Sequence, residues 1–271
     1  MFACRSILLI ALLATPLLVR AQPANRARGR ALLMHFRDSL PANSGNGLRC
    51  TSCHLDDGAR GSAMPWHGAA PTYPRYRSRL GAVESLAHRV NECIARSLAG
   101  RMLPEDGREM RDMLAFLDSL GGLPRPSRPD TVRLVGRVTA GRAAYRTECA
   151  RCHGAAGQGV PAMNAPAVWG RASYSIGAGM SRQYTLATFL RHNMPFDKPG
   201  TLVPQVAADI AAFVLAQPRQ DHPGKAKDWP NGDAPVDVAY ATDGARARQR
   251  PLPPARPLLP RRLSPQASAT R

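Results

Sequence analysis

Two short stretches of the chain carry residues whose types and spacing can bind a redox cofactor. Each has two cysteines three positions apart, with a histidine directly after the second cysteine. The first copy is Cys50-Thr51-Ser52-Cys53-His54, and the second is Cys149-Ala150-Arg151-Cys152-His153. This spacing is the attachment signature of c-type haem, in which the thiols bond to the haem vinyl groups and the histidine ligates the iron. The sequence therefore predicts two covalently bound haem c groups.

A zinc site is the alternative use of a Cys-x-x-Cys pair. A structural zinc ion needs four ligands, so two such pairs would have to meet at one metal. Here each pair has its own histidine, and the motifs lie about a hundred residues apart. We therefore interpret each motif as a separate haem site.

The elements around the two motifs follow the same order in each half of the chain. A helix is predicted over 26–36 ahead of the first motif, and residues 141–145 predict another helix ahead of the second. Each half also closes with an amphipathic helix, over 105–120 in the first and 203–214 in the second. This pattern predicts a mainly α fold with two class I cytochrome c-like domains in tandem, each with one covalent haem.

A central helix of the first half carries further polar residues of interest. Glycines and prolines predict a loop over 56–79, and helical spacing of apolar residues predicts a helix over 83–98. Arg89, Cys93 and Ser97 are spaced i, i+4 and i+8 along the edge of its apolar face. We expect this row to face a haem.

Composition divides the chain into six segments. An apolar run near the N-terminus is too short to span a bilayer and has a signal-peptide cleavage pattern. The predicted segments are a signal peptide at 1–21, a first cytochrome c domain at 22–122, a linker at 123–135, a second cytochrome c domain at 136–218, an extended strap at 219–244 and a basic disordered tail at 245–271. Because haem is attached to such motifs outside the cytoplasm, we expect a periplasmic protein with no membrane span.

The chain is strongly basic, with 37 Lys and Arg against 19 Asp and Glu and a formal net charge of +18. Nucleic acid is the usual alternative partner for such a protein, but an exported cytochrome rarely meets it. We expect the charge to speed encounter with acidic redox partners, such as a small c-type cytochrome that accepts electrons. No nucleic-acid partner is predicted.

Each haem iron needs a ligand opposite its histidine, which in c-type cytochromes is usually Met or His. In the second domain Met194 lies on a Pro-bordered loop before the last helix, about forty residues after the haem motif. Met163, Met180 and His192 are the alternatives.

The first domain has no matching loop methionine, since Met64 and Met102 lie elsewhere relative to the motif. Cys93 is the distinctive candidate. Cys4 is removed with the leader and four cysteines bind haem, so Cys93 has no disulfide partner. A thiolate on haem iron lowers the reduction potential, which suits a sulfur-reactive site better than an electron carrier. The alternative is a buried, unreactive cysteine.

These residues resemble a known family, the dihaem thiosulfate dehydrogenases, which join two thiosulfates into tetrathionate. The resemblance runs from about residue 28 to residue 240, and only the leader and the basic tail lie outside it. It is carried by Asn46–Leu55, Tyr76–Arg79, Arg89–Gly100, Trp169–Gly170, Ser173–Met180, Asn193–Pro195 and Asp228–Pro230.

The resemblance implies an axial ligand pair for each haem. His54 and Cys93 would ligate haem 1, the catalytic haem, and His153 and Met194 would ligate haem 2, which relays electrons. It also implies that the reaction can run as thiosulfate oxidation or as tetrathionate reduction.

The resemblance further implies that Arg79, Arg89 and Ser97 line the substrate pocket. Guanidinium groups suit this role, because two thiosulfate dianions repel each other and charge-assisted hydrogen bonds offset the repulsion. Because Cys93 is the spare cysteine and lies near Arg89 on the helix, we expect it to be the reacting sulfur. Some family members carry a lysine directly before the distal methionine that exchanges with it at the iron. This chain has Asn193 there, which excludes such exchange.

Three other functions use similar motifs. A dihaem electron-transfer cytochrome would leave Cys93 incidental and use the arginines for docking. A cytochrome of the sulfur-oxidising complex would transfer thiosulfate to a cysteine of a carrier protein, and a dihaem peroxidase would need an open iron position. The segments Ser173–Met180 and Asn193–Pro195 favour the thiosulfate dehydrogenase reading.

Overall fold

The computed structural model describes residues 22–124 and 130–249, so the predicted signal peptide, part of the linker and most of the tail lie outside the described residues. The helices are α1 (Arg26–Met34), α2 (Phe36–Ser39), α3 (Leu86–Arg96), α4 (Arg108–Ser119), α5 (Val138–Glu148), α6 (Ala150–His153), α7 (Gln183–Asn193), α8 (Pro204–Leu215) and α9 (Asp243–Gln249). The strands are β1 (Arg75–Arg77) and β2 (Ala82–Glu84). None of the described helices has the length and apolar character that crossing a membrane requires.

In the first half, α1 crosses α4 at very short range. A Cβ atom at Gly29 would lie 1.8 Å from the backbone oxygen of Asp112, so only glycine permits this approach. The Asp112 carboxylate accepts a hydrogen bond from the backbone N–H of Asn25 at 2.7 Å and another from the Arg28 guanidinium at 2.5 Å. One buried acid therefore fixes the start of α1 against α4.

The second half repeats this arrangement with α5 and α8. A Cβ atom at Gly141 would lie 1.9 Å from the backbone oxygen of Asp209. The Asp209 carboxylate accepts from the backbone N–H of Arg137 at 2.8 Å and from its guanidinium at 2.7 Å. The same helix crossing thus occurs twice, which agrees with the predicted tandem of helical cytochrome units.

A small antiparallel hairpin stands where a loop and the start of a helix were predicted. Strand β1 pairs with β2, with Arg75 opposite Glu84. Val83, expected on the buried face of the central helix, lies in β2 and is 66% exposed. The predicted helix start is wrong because Ser85 caps the helix, its side chain accepting from the N–H of His88, so that α3 begins at Leu86.

The two halves meet through a buried loop of the second half. The Asn46 side-chain amide donates to the carbonyls of Ser97 and Ser173, at 2.8 and 3.0 Å. Ser175 donates from its backbone N–H and its hydroxyl to the Arg96 carbonyl, at 3.2 and 2.8 Å. The C-terminal end of α3 is therefore held by both halves.

The strap returns from the second half to the first and ends in α9. The Thr242 hydroxyl accepts from the N–H of Ala245 at 3.2 Å, and Gly244 packs against the carbonyl of Trp229. The prediction of a disordered tail is wrong for residues 245–249, because this cap and this packing anchor a helix there. The rest of the tail lies outside the described residues.

Candidate functional site

Both motif histidines are oriented by a backbone carbonyl. The Nδ1 atom of His54 lies 2.5 Å from the carbonyl oxygen of Met64, and Nδ1 of His153 lies 2.8 Å from that of Pro166. Donation from Nδ1–H leaves Nε2 as the ligating nitrogen. Burial lowers the pKa of His54 to about 4 and also lowers the pKa of His153, which favours the neutral, metal-binding imidazole.

A cavity of about 470 Å³, here called the haem cavity, lies beside the first motif. Most of its walls are apolar, and its lining includes Leu33, Phe36, Leu48, Val90, Ile94, Leu98, Met113 and Leu117. Cys50, Cys53, His54 and Cys93 also line it. The Nε atom of Arg75, another lining residue, is buried without a hydrogen-bond partner among the described residues, which fits a carboxylate of haem. The donor set and the apolar walls therefore fit a covalently attached haem.

The second half presents Met194 directly after α7. Its side chain is half-buried against the hydrophobic core, and its backbone N–H donates to Leu190. The alternatives have other environments: Met163 is 46% exposed, Met180 lines the haem cavity of the first half, and His192 lies 3.1 Å from the carbonyl of Asp130 through its Nε2 atom. These surroundings favour Met194 as the ligand for the second iron.

A second cavity, of about 350 Å³, shares part of its wall with the haem cavity. The shared residues are Arg77, Arg89, Cys93, Ser97 and Gly179. Among the described residues, Cys93 is the one cysteine that lines both cavities. The second cavity is called the arginine cavity, because five arginines line it against two glutamates. They are Arg77, Arg79, Arg89, Arg96 and Arg182, with Glu84 and Glu92.

Two of these arginines are already neutralised by carboxylates of the strap. Arg96 donates to both oxygens of Asp228, at 2.8 and 2.9 Å, and its Nε atom donates to Glu92. Arg182 donates twice to Asp237, at 2.9 and 2.7 Å. The side chains of both aspartates are buried, with 4% and 3% of their surface exposed. These two guanidinium groups are therefore paired within the protein and are not available to a ligand.

Arg79 and Arg89 differ, because neither forms a salt bridge within residues 22–124 and 130–249. Arg79 donates one hydrogen bond, at 2.6 Å, to the carbonyl of Gly177. Burial lowers the pKa of Arg79, whereas the electrostatic interaction with the neighbouring Cys93 raises the pKa of Arg89. A small dianion between these two groups would compensate their buried positive charge.

Comparisons with known proteins identify the family to which this chain belongs. Residues 41–122 match the model of the SoxA/TsdA cytochrome c domain, and residues 136–214 match that of the cbb3-type cytochrome c oxidase subunit III. A thiosulfate dehydrogenase of Psychrobacter arcticus is 37% identical over 223 residues, which cover 78% of this chain and 68% of that protein. The chain belongs to the thiosulfate dehydrogenase family.

Two further members of the family support the assignment. The thiosulfate dehydrogenase of Allochromatium vinosum is 35% identical over 71% of this chain and 77% of its own length. The solved structure of the thiosulfate dehydrogenase TsdBA from Marichromatium purpuratum matches with a TM-score of 0.68 and 32% identity, covering 72% of this chain and 46% of that one. The predictions of the family, of an oxidoreductase and of tandem cytochrome c domains with covalently bound haem c are confirmed.

The structure brings the predicted pocket residues Arg79, Arg89, Cys93 and Ser97 to the arginine cavity. Sequence reasoning missed the other three arginines of that cavity as site residues, and also missed the buried carboxylates that hold two of them. The Asp-Trp-Pro sequence of the strap was the available signal. In an otherwise polar segment, an acidic residue followed by an apolar Trp229 and a turn-forming Pro230 indicates that the strap packs against the protein rather than forming a free tail.

Proposed function

We propose that this protein oxidises thiosulfate to tetrathionate in the periplasm, using one haem c in each cytochrome domain. Two thiosulfates become one tetrathionate, and two electrons leave. The observation that carries the proposal is the position of Cys93, which lines both an apolar haem cavity and an arginine-rich cavity. The names of the Psychrobacter and Allochromatium relatives support thiosulfate as the substrate.

His54 and Cys93 would hold the iron of haem 1, and His153 and Met194 would hold the iron of haem 2. Both histidines donate from Nδ1 to a carbonyl, which leaves Nε2 available. Cys93 lines the same cavity as His54. A thiolate favours a low potential at haem 1 and a thioether favours a higher one at haem 2, so electrons would move from the first domain to the second.

The arginine cavity would hold the substrate through Arg79 and Arg89, with Ser97 as a neutral donor. Charge-assisted hydrogen bonds from two guanidinium groups reduce the repulsion between two dianions that must react with each other. The same groups would hold the sulfonate ends of tetrathionate, so the site also suits the reverse reaction.

Cys93 would act as the sulfur nucleophile. Its thiolate forms a bond to the sulfane sulfur of one thiosulfate while two electrons leave, which gives a cysteine S-thiosulfonate. The sulfane sulfur of the second thiosulfate then attacks that sulfur, so tetrathionate departs and the Cys93 thiolate is regenerated. The bound haems would accept the two electrons and deliver them to an external carrier such as a small c-type cytochrome.

The decisive experiment uses the purified, haem-loaded protein with thiosulfate and an artificial one-electron acceptor, without any carrier protein. We expect one tetrathionate for two thiosulfates and two electrons, and an intact mass that contains two haems on a chain beginning at Gln22. A requirement for a carrier protein would point to the sulfur-oxidising complex instead. Electron exchange without any tetrathionate would point to an electron-transfer cytochrome.

A further inference from the structure

The strap lies outside both matched cytochrome regions, yet it forms part of the arginine cavity. Trp229 and Pro235 line the cavity. The backbone N–H of Trp229 donates to the carbonyl of Arg79 at 2.8 Å, which joins the strap directly to the chain that carries a pocket arginine.

Trp229 is held in an unusual conformation. Its φ angle is +51°, in the left-handed region that bulky residues rarely adopt, and its side chain is 3% exposed. Its carbonyl accepts from the N–H of Gly232 at 2.9 Å, and a Cβ atom on Gly244 would lie 2.2 Å from the same oxygen. Strained positions of this kind persist where the surrounding contacts fix them, and they concentrate at functional sites.

The conformation of Trp229 places its ring beneath the Arg79 guanidinium, whose carbon lies 4.5 Å from the ring centroid. This contact is attractive but neutral, so it restrains the guanidinium without cancelling its charge. Two other arginines of the cavity contact the strap through carboxylates instead. Asp228 neutralises Arg96, and Asp237 neutralises Arg182.

We propose that Trp229 is a positioning residue that holds Arg79 ready for one thiosulfate dianion while leaving its charge uncompensated. The strap thereby pairs two of the cavity's arginines, Arg96 and Arg182, with its aspartates and leaves a third, Arg79, free to bind substrate. Most of the Arg79 donors remain available, since it gives one hydrogen bond to Gly177. This inference rests on the proposed function of the arginine cavity.

The test is a double-mutant cycle on the haem-loaded enzyme, with Trp229→Leu and Arg79→Ala alone and together. We expect Trp229→Leu to raise KM for thiosulfate on the order of tenfold while kcat changes less than about twofold. In the Arg79→Ala background, Trp229→Leu should raise KM no further, because its effect passes through Arg79. The inhibition constant of sulfate, a dianion that is not oxidised, should rise by the same factor as KM.

Asn231→Ala is the matched control, because Asn231 lies in the same turn and its side-chain amide donates to the Tyr76 hydroxyl at 2.9 Å rather than bonding to an arginine. It should leave KM unchanged. Trp229→Phe keeps an aromatic face and should restore most of the affinity. If Trp229→Leu does not accumulate as folded protein, the same cycle is run with Trp229→Phe. We then expect a smaller rise in KM in the Trp229→Phe single variant, and no further rise when Trp229→Phe is added to Arg79→Ala.

The outcomes separate the two proposals. An Arg79→Ala enzyme with unchanged KM would remove Arg79 from the substrate site and would overturn the role of Trp229 with it. The proposed function would be overturned by a different result, the absence of tetrathionate from the wild-type reaction. A raised KM in Arg79→Ala with unchanged KM in Trp229→Leu would overturn the role of Trp229 alone. Additive effects in the double variant would also overturn it, since they would show that Trp229 does not act through Arg79.

Discussion

Asn193 and Ser62 exchange two hydrogen bonds across the boundary between the cytochrome units. The Ser62 hydroxyl donates to Oδ1 of Asn193 at 2.7 Å, and Nδ2 of Asn193 donates to the Ser62 carbonyl at 3.1 Å. Asn193 is fully buried and directly precedes Met194, while Ser62 lies two residues before Met64, whose carbonyl orients the first motif histidine. The segment that orients His54 is therefore tied to the end of α7, next to Met194, and both His54 and Met194 are proposed iron ligands.

Replacing Asn193 by alanine should lower the free energy of unfolding by about 2–3 kcal/mol, because it removes its bonds to Ser62 and a further one to Phe189. Ser62→Ala removes one hydrogen bond and should cost about 1 kcal/mol. Thermal unfolding of the haem-loaded variants measures both. Equal effects of the two substitutions would show that the hydrogen bonds from Asn193 to the carbonyls of Ser62 and Phe189 contribute nothing.

The second unit should lose stability at low pH through Asp209. The Arg137 guanidinium holds the pKa of this buried carboxyl below its usual range. A depressed folded-state pKa stabilises the protein above the unfolded-state pKa, and this contribution is lost as pH falls through the folded-state value. Asp209→Asn should therefore cost about 1.5–3 kcal/mol at neutral pH, and its difference from wild type should shrink below about pH 4.

Urea unfolding of wild type and Asp209→Asn across this pH range provides the measurement. Asp197→Asn is the control, because Asp197 also pairs with an arginine, Arg151, but both side chains are more than half exposed. Exposed pairs contribute little, so that variant should track wild type. A constant gap between wild type and Asp209→Asn at all pH values would contradict the assignment.

The unpaired arginines of the cavity should control substrate affinity. Arg89→Ala should reduce kcat/KM by roughly 10- to 100-fold, because it removes a charge-assisted contact. Ser97→Ala removes a neutral one and should cost about 1 kcal/mol, or roughly fivefold. Arg30→Ala, which breaks an exposed pair with Asp57, is the control. Haem content and steady-state thiosulfate kinetics are measured together, and an Arg89→Ala enzyme with wild-type kinetics would move the site elsewhere.

Electron delivery should depend on salt. With a formal net charge of +18, the protein attracts acidic partners over distances that added salt screens. The second-order rate of electron transfer to an acidic c-type cytochrome should fall steeply as ionic strength rises, whereas transfer to a neutral acceptor should not. Stopped-flow measurements at several salt concentrations check this, and a flat profile would rule out steering.

Local sequence patterns predicted three of the pocket residues because those three lie on one helix or at its end. Helical spacing placed Arg89 and Cys93 along one edge of α3 and Ser97 at its C-terminal cap, and all three line both cavities. The supporting contacts were out of reach, since Arg96 and Asp228 are 132 positions apart and no period in the chain connects them. The hairpin was missed for a different reason: three-residue strands are too short for an alternating pattern to stand out from loop.

Cys93 provides the sharpest prediction, because two roles are proposed for one sulfur atom. Cys93→Ala should abolish thiosulfate oxidation while both haems stay attached, and it should change the absorption and electron paramagnetic resonance spectra of one haem only. Alanine is preferable to glycine here, since glycine inside α3 would add about 1 kcal/mol of helix destabilisation.

Cys93→Met separates ligation from nucleophilic chemistry. A thioether can return the iron to six-coordination, as it does in ordinary c-type cytochromes, but it has no thiolate with which to form a cysteine S-thiosulfonate. We therefore expect Cys93→Met to recover a six-coordinate, low-spin spectrum and a higher reduction potential at haem 1 without recovering turnover. Turnover in Cys93→Met would show that the sulfur acts only as a ligand. An active Cys93→Ala enzyme, or a wild-type spectrum without a thiolate-ligated haem, would return the protein to the class of electron carriers.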